Sequence, residues 1–261
     1  MMNANERAGI HNCVLVLTPV KDAAAHLENY VTRIEALSYP RELLSIGLLE
    51  SDSRDDTWSL LDAMRPRLEA RCARVSMMKK DFGFTMPTGT PRWAPAYQLH
   101  RRIILARARN QLLFRALRDE DFVLWLDVDV VDYPVELIDR LLEFGRDILH
   151  PHCVTEPSGP TFDRNGWAAH GTKLLSDYRG LGRPVRLDAV GGTVLLVRAD
   201  IHRDGLIFPP FRYGVENPSI RPSHEIWGRG EVETEGLGVM AQDMGYQCWG
   251  LPDFEVIHAK E

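Results

Sequence analysis

Two rhythms alternate along this chain: solid apolar runs of a few residues, and longer stretches in which apolar residues recur every three or four positions. Residues 13–19, CVLVLTP, are an apolar run closed by Pro19, as expected of a strand buried on both faces. Helical spacing follows over 26–37 and stops before Pro40. A second run at 43–49 leads through a polar segment into a helix carrying Trp58, Leu61 and Met64, with either Asp55 or Asp56 as its cap. A third strand is predicted at 74–78, then a Pro/Thr/Gly loop at 84–95 and a long helix at 97–117. The run FVLWL at 122–126 is a fourth strand, and a helix over 134–144 opens on Pro134. The second half is looser, with a loop at 155–182, a strand at 193–197, a Pro-rich stretch at 208–222, a helix at 234–244 and a strand-like 254–257. Strand–helix repetition of this kind predicts an α/β fold, a single domain whose mostly parallel central sheet is flanked by helices.

Composition narrows the class. The 261 residues are 44% hydrophobic, enough for one large core. A formal net charge of -6 argues against a general nucleic-acid binder, which usually carries a basic surplus. The longest apolar runs, about six residues, fall far short of the roughly 20 that span a bilayer. The stretch 1–12 is polar and has no apolar signal-peptide core. Together these give the expectation of a cytoplasmic protein without a transmembrane segment. Cys13, Cys72, Cys153 and Cys248 are isolated, which predicts reduced and mostly buried thiols.

In such sheets ligands bind beyond the carboxyl ends of strands, where the strand order reverses. No dinucleotide fingerprint, phosphate-binding P-loop or serine nucleophile elbow occurs in the sequence. The strand ends are acidic instead. Asp127 and Asp129 lie two apart at the mouth of an apolar strand, so an extended chain would aim both at one site. Two hard oxygen donors there suit Mg²⁺ or Mn²⁺; a plain acidic turn is the alternative. On the preceding helix, Leu105, Ala108, Leu112 and Ala116 form one stripe. Arg102 and Arg109 border it, whereas Arg107 and Arg118 fall opposite. The bordering arginines therefore either snorkel or ion-pair with core-edge aspartates, or else clamp the substrate or the acidic ends of strands two and four. Gly191-Gly192 allows a ligand close to the backbone, or simply makes a turn. Glu231, Glu233 and Glu235 open a helix whose dipole they would complement. His258 is either a third metal ligand or a surface residue.

Taken in order, several segments resemble the fungal mannan-polymerase family of GT-A-fold α-mannosyltransferases. They are VLVLTP at 14–19, LESDS at 49–53, KKDFGF at 79–84 and QLHRRIILARARN at 98–110. They continue with VLWLDVDV at 123–130, LDAVGGTVLLV at 187–197, ADIHRDG at 199–205, ETEG at 233–236, and 246–261 with its His258. The resemblance covers nearly all of the chain from residue 12 onward.

That resemblance implies a metal-dependent transferase that takes a sugar, mannose from GDP-mannose, and retains its anomeric configuration. It puts Asp127 and Asp129 at the metal–diphosphate site, with His258 as the C-terminal ligand to Mn²⁺ or Mg²⁺. It makes Pro19 and Asp52 part of the nucleoside pocket, and Asp81, Arg102 and Arg109 further donor-site residues. Glu235 leads the carboxylates expected to orient the acceptor or stabilise the sugar cation, ahead of Glu233 and Asp188. Residues 12–153 would bind the nucleotide sugar and 154–261 a hydroxyl-bearing acceptor, whether glycan, lipid-linked or small molecule. Peripheral membrane contact and a homo-oligomer are both compatible with this expectation. Unlike the fungal members, the chain starts at its first strand and holds an insert near 214–230, with His224 and Trp227. Two other readings remain. A sugar-phosphate nucleotidyltransferase would carry glycines after the first strand, where TPVKD at 18–22 has none. A non-catalytic nucleotide-sugar-binding subunit would keep the donor pocket alone.

Overall fold

The computed structural model describes residues 12–91, 94–214 and 230–260. The polar N-terminus and most of the expected insert, with His224 and Trp227, lie outside the described residues. The chain runs through β1 (Val14–Val20), α1 (Leu27–Ala36), β2 (Leu44–Glu50), α2 (Thr57–Arg71), β3 (Arg74–Lys79), α3 (Pro95–Ala116) and β4 (Phe122–Leu126). It continues with β5 (Val130–Asp132), α4 (Leu137–Glu143), β6 (Ile148–Val154), and a hairpin of β7 (Trp167–Ala168) and β8 (Lys173–Leu174). Last come β9 (Val185–Leu187), β10 (Val194–Arg198), α5 (Ala199–Arg203), α6 (Glu233–Asp243) and β11 (Cys248–His258).

The main sheet has the order β3-β2-β1-β4-β10-β6-β11-β5, with β9 also on β11. Its first four strands are parallel, as the strand–helix repetition predicts. The second half is mixed: β10 enters antiparallel between β4 and β6, and β5 and β9 run antiparallel to β11. Loops and short hairpins connect much of this half, and only a crossover forces strands to be parallel. The order turns back between β1 and β4, so their carboxyl ends flank the switch point at which α/β sheets bind ligands.

Side-chain alternation along β1 divides the core. Val14 and Val16 pack with Leu27, Tyr30 and Ile34 of α1 on one face. Leu15 and Leu17 meet Leu112, Leu113 and Ala116 of α3 on the other. Each buried aliphatic side chain of this kind stabilises the fold by about 1.5–3 kcal/mol. Asp56 occupies the N-cap position of α2 without a side-chain cap bond, while the neighbouring Asp55 Oδ1 accepts from Thr57 N–H at 3.1 Å. Three of the four cysteines are buried, and all four are free thiols.

The sequence pattern misses β6, ILHPHCV, because a proline and two histidines interrupt its apolar run. All seven residues are buried. β10 pairs with β6 only at Ile148 and Leu149, so Pro151 lies past the end of that ladder and removes no bond from it. His150 Nδ1 faces the Val194 carbonyl at 2.9 Å, and His152 Nε2 faces Thr161 Oγ1 at 2.9 Å. No helix among the described residues is long and apolar enough to cross a membrane.

Candidate active site

A cavity of about 790 Å³ opens where β4, β10 and β11 meet α3 and α6. It is lined by Arg102 and Arg109 of α3, by Asp127 and Asp129, by Glu233 and Glu235 of α6, and by His258 at the end of β11. A second cavity of about 340 Å³ lies beyond β1 and β2 and includes Pro19, Lys21 and Ser51. Arg101 and Leu105 of α3 border both cavities.

Asp127 and Asp129 are not in extended chain. They sit in the tight turn between β4 and β5, where Val130 N–H donates to the Asp127 carbonyl at 3.2 Å, yet both still line the cavity. The turn has a consequence no local pattern shows. It starts β5, whose antiparallel register pairs Val130 with His258. That pairing carries the end of the chain back to the acidic turn, with Ala259 N–H donating to the Asp129 carbonyl at 2.8 Å. His258 Nε2 lies 3.1 Å from Asp129 Oδ1, and the ring stacks on Phe162 at 3.9 Å.

The tautomer of His258 follows from its partners. Nδ1 lies 2.7 Å from the Ala259 carbonyl, which can only accept, so Nδ1 carries the proton. Nε2 of a neutral ring would then turn a lone pair on a carboxylate oxygen. Either a proton or a metal cation must lie between them. Burial alone would lower the His258 pKa, but the hydrogen bond and charge of Asp129 raise it above the ordinary value. Asp127 is displaced upward as well, away from the range of an ordinary carboxylate. Burial pushes it up to about 7, against the attraction of Arg109 and with added repulsion from Asp129 and Asp163.

From the acidic turn runs a chain of alternating charges. Arg109 Nη2 donates to Asp127 Oδ1 at 3.0 Å, and its Nε lies 3.1 Å from Glu233 Oε1. Its guanidinium also lies 5.4 Å from the Trp125 ring and 5.2 Å from that of Phe208. Arg102 donates to Glu235 Oε2 at 2.6 Å and to the Val232 carbonyl at 2.9 Å, with Glu233 Oε2 at 3.4 Å. Trp167 Nε1 donates to the other Glu235 oxygen at 2.9 Å. Both arginines are therefore ion-paired at the core edge, and the partner of Arg109 is the aspartate at the end of β4. Glu233 has a backbone φ of 57°, a left-handed conformation uncommon for glutamate, which arises where α6 departs from extended Val232.

The other sequence candidates are placed differently. Asp52 and Asp81 line neither cavity. Asp52 N–H donates to Asp81 Oδ1 at 2.9 Å, and the Asp52 carboxylate accepts from Gly83 N–H at 2.9 Å, tying the loop after β3 to the end of β2. Asp188 also lies outside the cavity lining, its Oδ2 accepting from His170 N–H at 2.8 Å. Sequence reasoning missed Phe162 and Asp163 in the irregular loop after β6, and Trp167 at the start of the two-residue β7. No periodicity marks them.

The Anp1 family profile matches residues 1–182 and 174–212. The chain belongs to the Anp1 family. Among curated relatives, it is 30% identical over 294 aligned residues to the mannan polymerase II complex anp1 subunit of Schizosaccharomyces pombe, covering 95% of this chain and 64% of that one. It is 29% identical to the mannan polymerase complex subunit MNN9 of Candida albicans, covering 95% and 75%. The chain thus spans just under two thirds of the fission-yeast relative's length. A structural relative is the mannosyltransferase PcManGT from Pyrobaculum calidifontis, solved with GDP-Man and Mn2+. It superimposes with a TM-score of 0.56 at 16% identity over 96% of this chain and 57% of that one. The Anp1-family chain has the fold of the GT-A glycosyltransferases.

Proposed function

We propose that this chain is a metal-dependent, retaining glycosyltransferase that moves mannose from GDP-mannose to a hydroxyl-bearing acceptor. The observation that carries the proposal is the meeting of Asp127, Asp129 and His258 in one cavity that Arg109, Arg102 and Glu233 also line, with Arg109 in contact with Asp127. Its family supports the glycosyltransferase class. The names of its relatives and the ligands of the structural neighbour support the sugar, the nucleotide and the metal.

The donor set fits Mn²⁺ or Mg²⁺ in its chemistry, two carboxylates and one imidazole. Six carboxylates and four guanidiniums line the larger cavity, an acidic excess that one divalent cation would offset. Among the described residues no three such ligands are already gathered round one point. His258 Nε2 would exchange its contact with Asp129 for the metal. Once bound, the ion supplies Lewis-acid stabilisation of the charge that develops on the departing diphosphate.

The protein's own groups do the rest. Arg109, fixed by Asp127 and two aromatic faces, holds a cation where the leaving diphosphate gains charge. Residues of 154–261 face the acceptor, orient its hydroxyl and exclude the water that would otherwise hydrolyse the donor. Pro19 and its neighbours in the smaller cavity hold the nucleoside. Incubation with Mn²⁺ and a panel of nucleotide sugars tests the proposal, with product configuration read by NMR. GDP-mannose consumption with an α-linked product is expected. Preference for another nucleotide overturns the donor, and binding without turnover favours the reading as a non-catalytic nucleotide-sugar-binding subunit.

A further inference from the structure

Asp163 follows β6 in the loop leading to β7, lines the larger cavity, and is only 7% exposed. Its Oδ2 accepts three hydrogen bonds: Gly192 N–H at 2.8 Å, Thr193 N–H at 3.1 Å and Thr193 Oγ1 at 3.1 Å. Its Oδ1 accepts from Asn165 N–H at 3.2 Å. Burial alone would raise this carboxyl; the charge of His150 and the bonds from Thr193 and Asn165 bring it below the ordinary value instead.

The turn held in this way presents its carbonyls to the active site. Gly192 O accepts from Arg109 Nη2 at 3.2 Å, and Thr193 O accepts from Asp127 N–H at 2.9 Å. One carboxylate therefore reaches, through a single turn, both the guanidinium and the first aspartate of the acidic motif. Neither glycine has room for a side chain. A Cβ on Gly191 would lie 2.1 Å from Asp163 Oδ2, and one on Gly192 would lie 2.6 Å from Arg109 Nη2. Close approach is thus the reason for the glycine pair, and the groups approaching are two charged side chains of the protein itself. Phe162, the neighbour of Asp163, stacks on His258, so two consecutive loop residues brace both sides of the acidic turn.

We infer that Asp163 is a positioning residue of the transfer reaction, holding the 191–193 turn so that Arg109 and Asp127 meet the donor diphosphate in one fixed arrangement. The inference rests on the glycosyltransferase reading above, and its test separates the two. GDP-mannose binding in the presence of Mn²⁺ is measured by calorimetry for wild type, Asp163→Ala, Arg109→Ala and the double variant. Hydrogen exchange at the Gly192 and Thr193 amides is followed in parallel. Asp163→Ala is expected to lose at least about tenfold in affinity and to exchange those amides faster, because each charged hydrogen bond removed loosens the turn. The double variant should bind within about threefold of the weaker single variant, because the first change acts through Arg109.

Losses that multiply in the double variant, or a folded Asp163→Ala with wild-type affinity, overturn the inference alone. A wild-type chain that binds no nucleotide sugar overturns the glycosyltransferase reading and this inference with it. Asp163→Asn, which keeps one oxygen for the turn, and Thr193→Val provide the same cycle should the alanine variant not fold. Intermediate losses that fail to multiply with Arg109→Ala support the inference there, and multiplying losses overturn it.

Discussion

Arg102 and Arg67 each bridge two carboxylates, yet burial gives them opposite weights. Arg102 reaches Glu235 at 2.6 Å and Glu233 at 3.4 Å, with side-chain exposures of 7%, 1% and 3% for the three residues. Arg67 reaches Glu28 at 2.8 Å and Glu35 at 2.7 Å from the open surface between α1 and α2. Arg102→Met keeps most of the side-chain volume but removes the charge, leaving two buried carboxylates, of which Glu233 keeps its contact with Arg109. Breaking a buried pair in this way costs about 3–5 kcal/mol, and the residual Arg109 contact favours the lower end. With a urea m-value of about 3 kcal/mol/M, the unfolding midpoint should fall by about 1 M. Tryptophan fluorescence is a direct probe, since Trp167 donates to Glu235. Arg67→Met should leave the midpoint nearly where it was, because water already solvates its partners. If Arg102→Met shifts the midpoint no further than Arg67→Met, burial does not set the worth of these bridges and the reasoning fails.

Further outcomes can be checked with the same protein. Gly192→Ala would set its Cβ 2.6 Å from Arg109 Nη2 and 2.8 Å from Thr234 Cγ2, so kcat/KM should fall by at least about tenfold even where melting shows a folded chain. Glu235→Gln turns an amide nitrogen toward either Arg102 or Trp167 and should cost about 1–3 kcal/mol in thermal unfolding. Glu233→Gln, whose Oε1 accepts no aligned hydrogen bond, should melt closer to wild type while losing turnover; equal melting losses would contradict this. His202 is kept neutral by burial, its pKa lowered to about 4, with Nδ1 donating to the Leu206 carbonyl and Nε2 accepting from Trp125. Between about pH 6.5 and 4 the unfolded chain therefore binds the extra proton, so stability drops as pH falls through that window, by about 2 kcal/mol at pH 5. Asp127, held up near 7, and His258, also raised, oppose this, because both stabilise the fold as pH falls and lose that contribution as pH rises. Urea midpoints at pH 7 and pH 5 measure the balance, and the midpoint of His202→Gln, which lacks the acid-side loss, should rise relative to wild type on going from pH 7 to pH 5; an unchanged difference between the two proteins refutes the assignment to His202.

What was legible in the sequence was what depends on neighbours along the chain. The apolar run 122–126 is β4 residue for residue, and the helical wheel separates buried Arg102 and Arg109 from exposed Arg107. Partners were not legible, because pairing across the fold creates them. Arg102 meets carboxylates 131 and 133 positions away, and the Asp129–His258 contact depends on a three-residue strand too short to leave a pattern. β6 was hidden for the opposite reason, its polar residues being satisfied only after folding by Val194, Pro252 and Thr161.

The arginine spacing connects the two levels. Seven residues along a helix advance the chain by about 10.5 Å, close to two full turns, so Arg102 and Arg109 leave α3 on the same face but at separate heights. At one height the guanidinium meets the end of β4; at the other it meets the start of α6. Glu233 lies between them and contacts both. A change that slid α3 along its axis would break every link from Asp127 to Glu235 together, whereas a change in one link leaves α3 seated on Leu15 and Leu17 through Leu112 and Ala116. The helix therefore acts as a ruler that sets the separation between the acidic turn and the α6 carboxylates. Its apolar stripe fixes that ruler to the sheet, and its two arginines transfer the distance to the site.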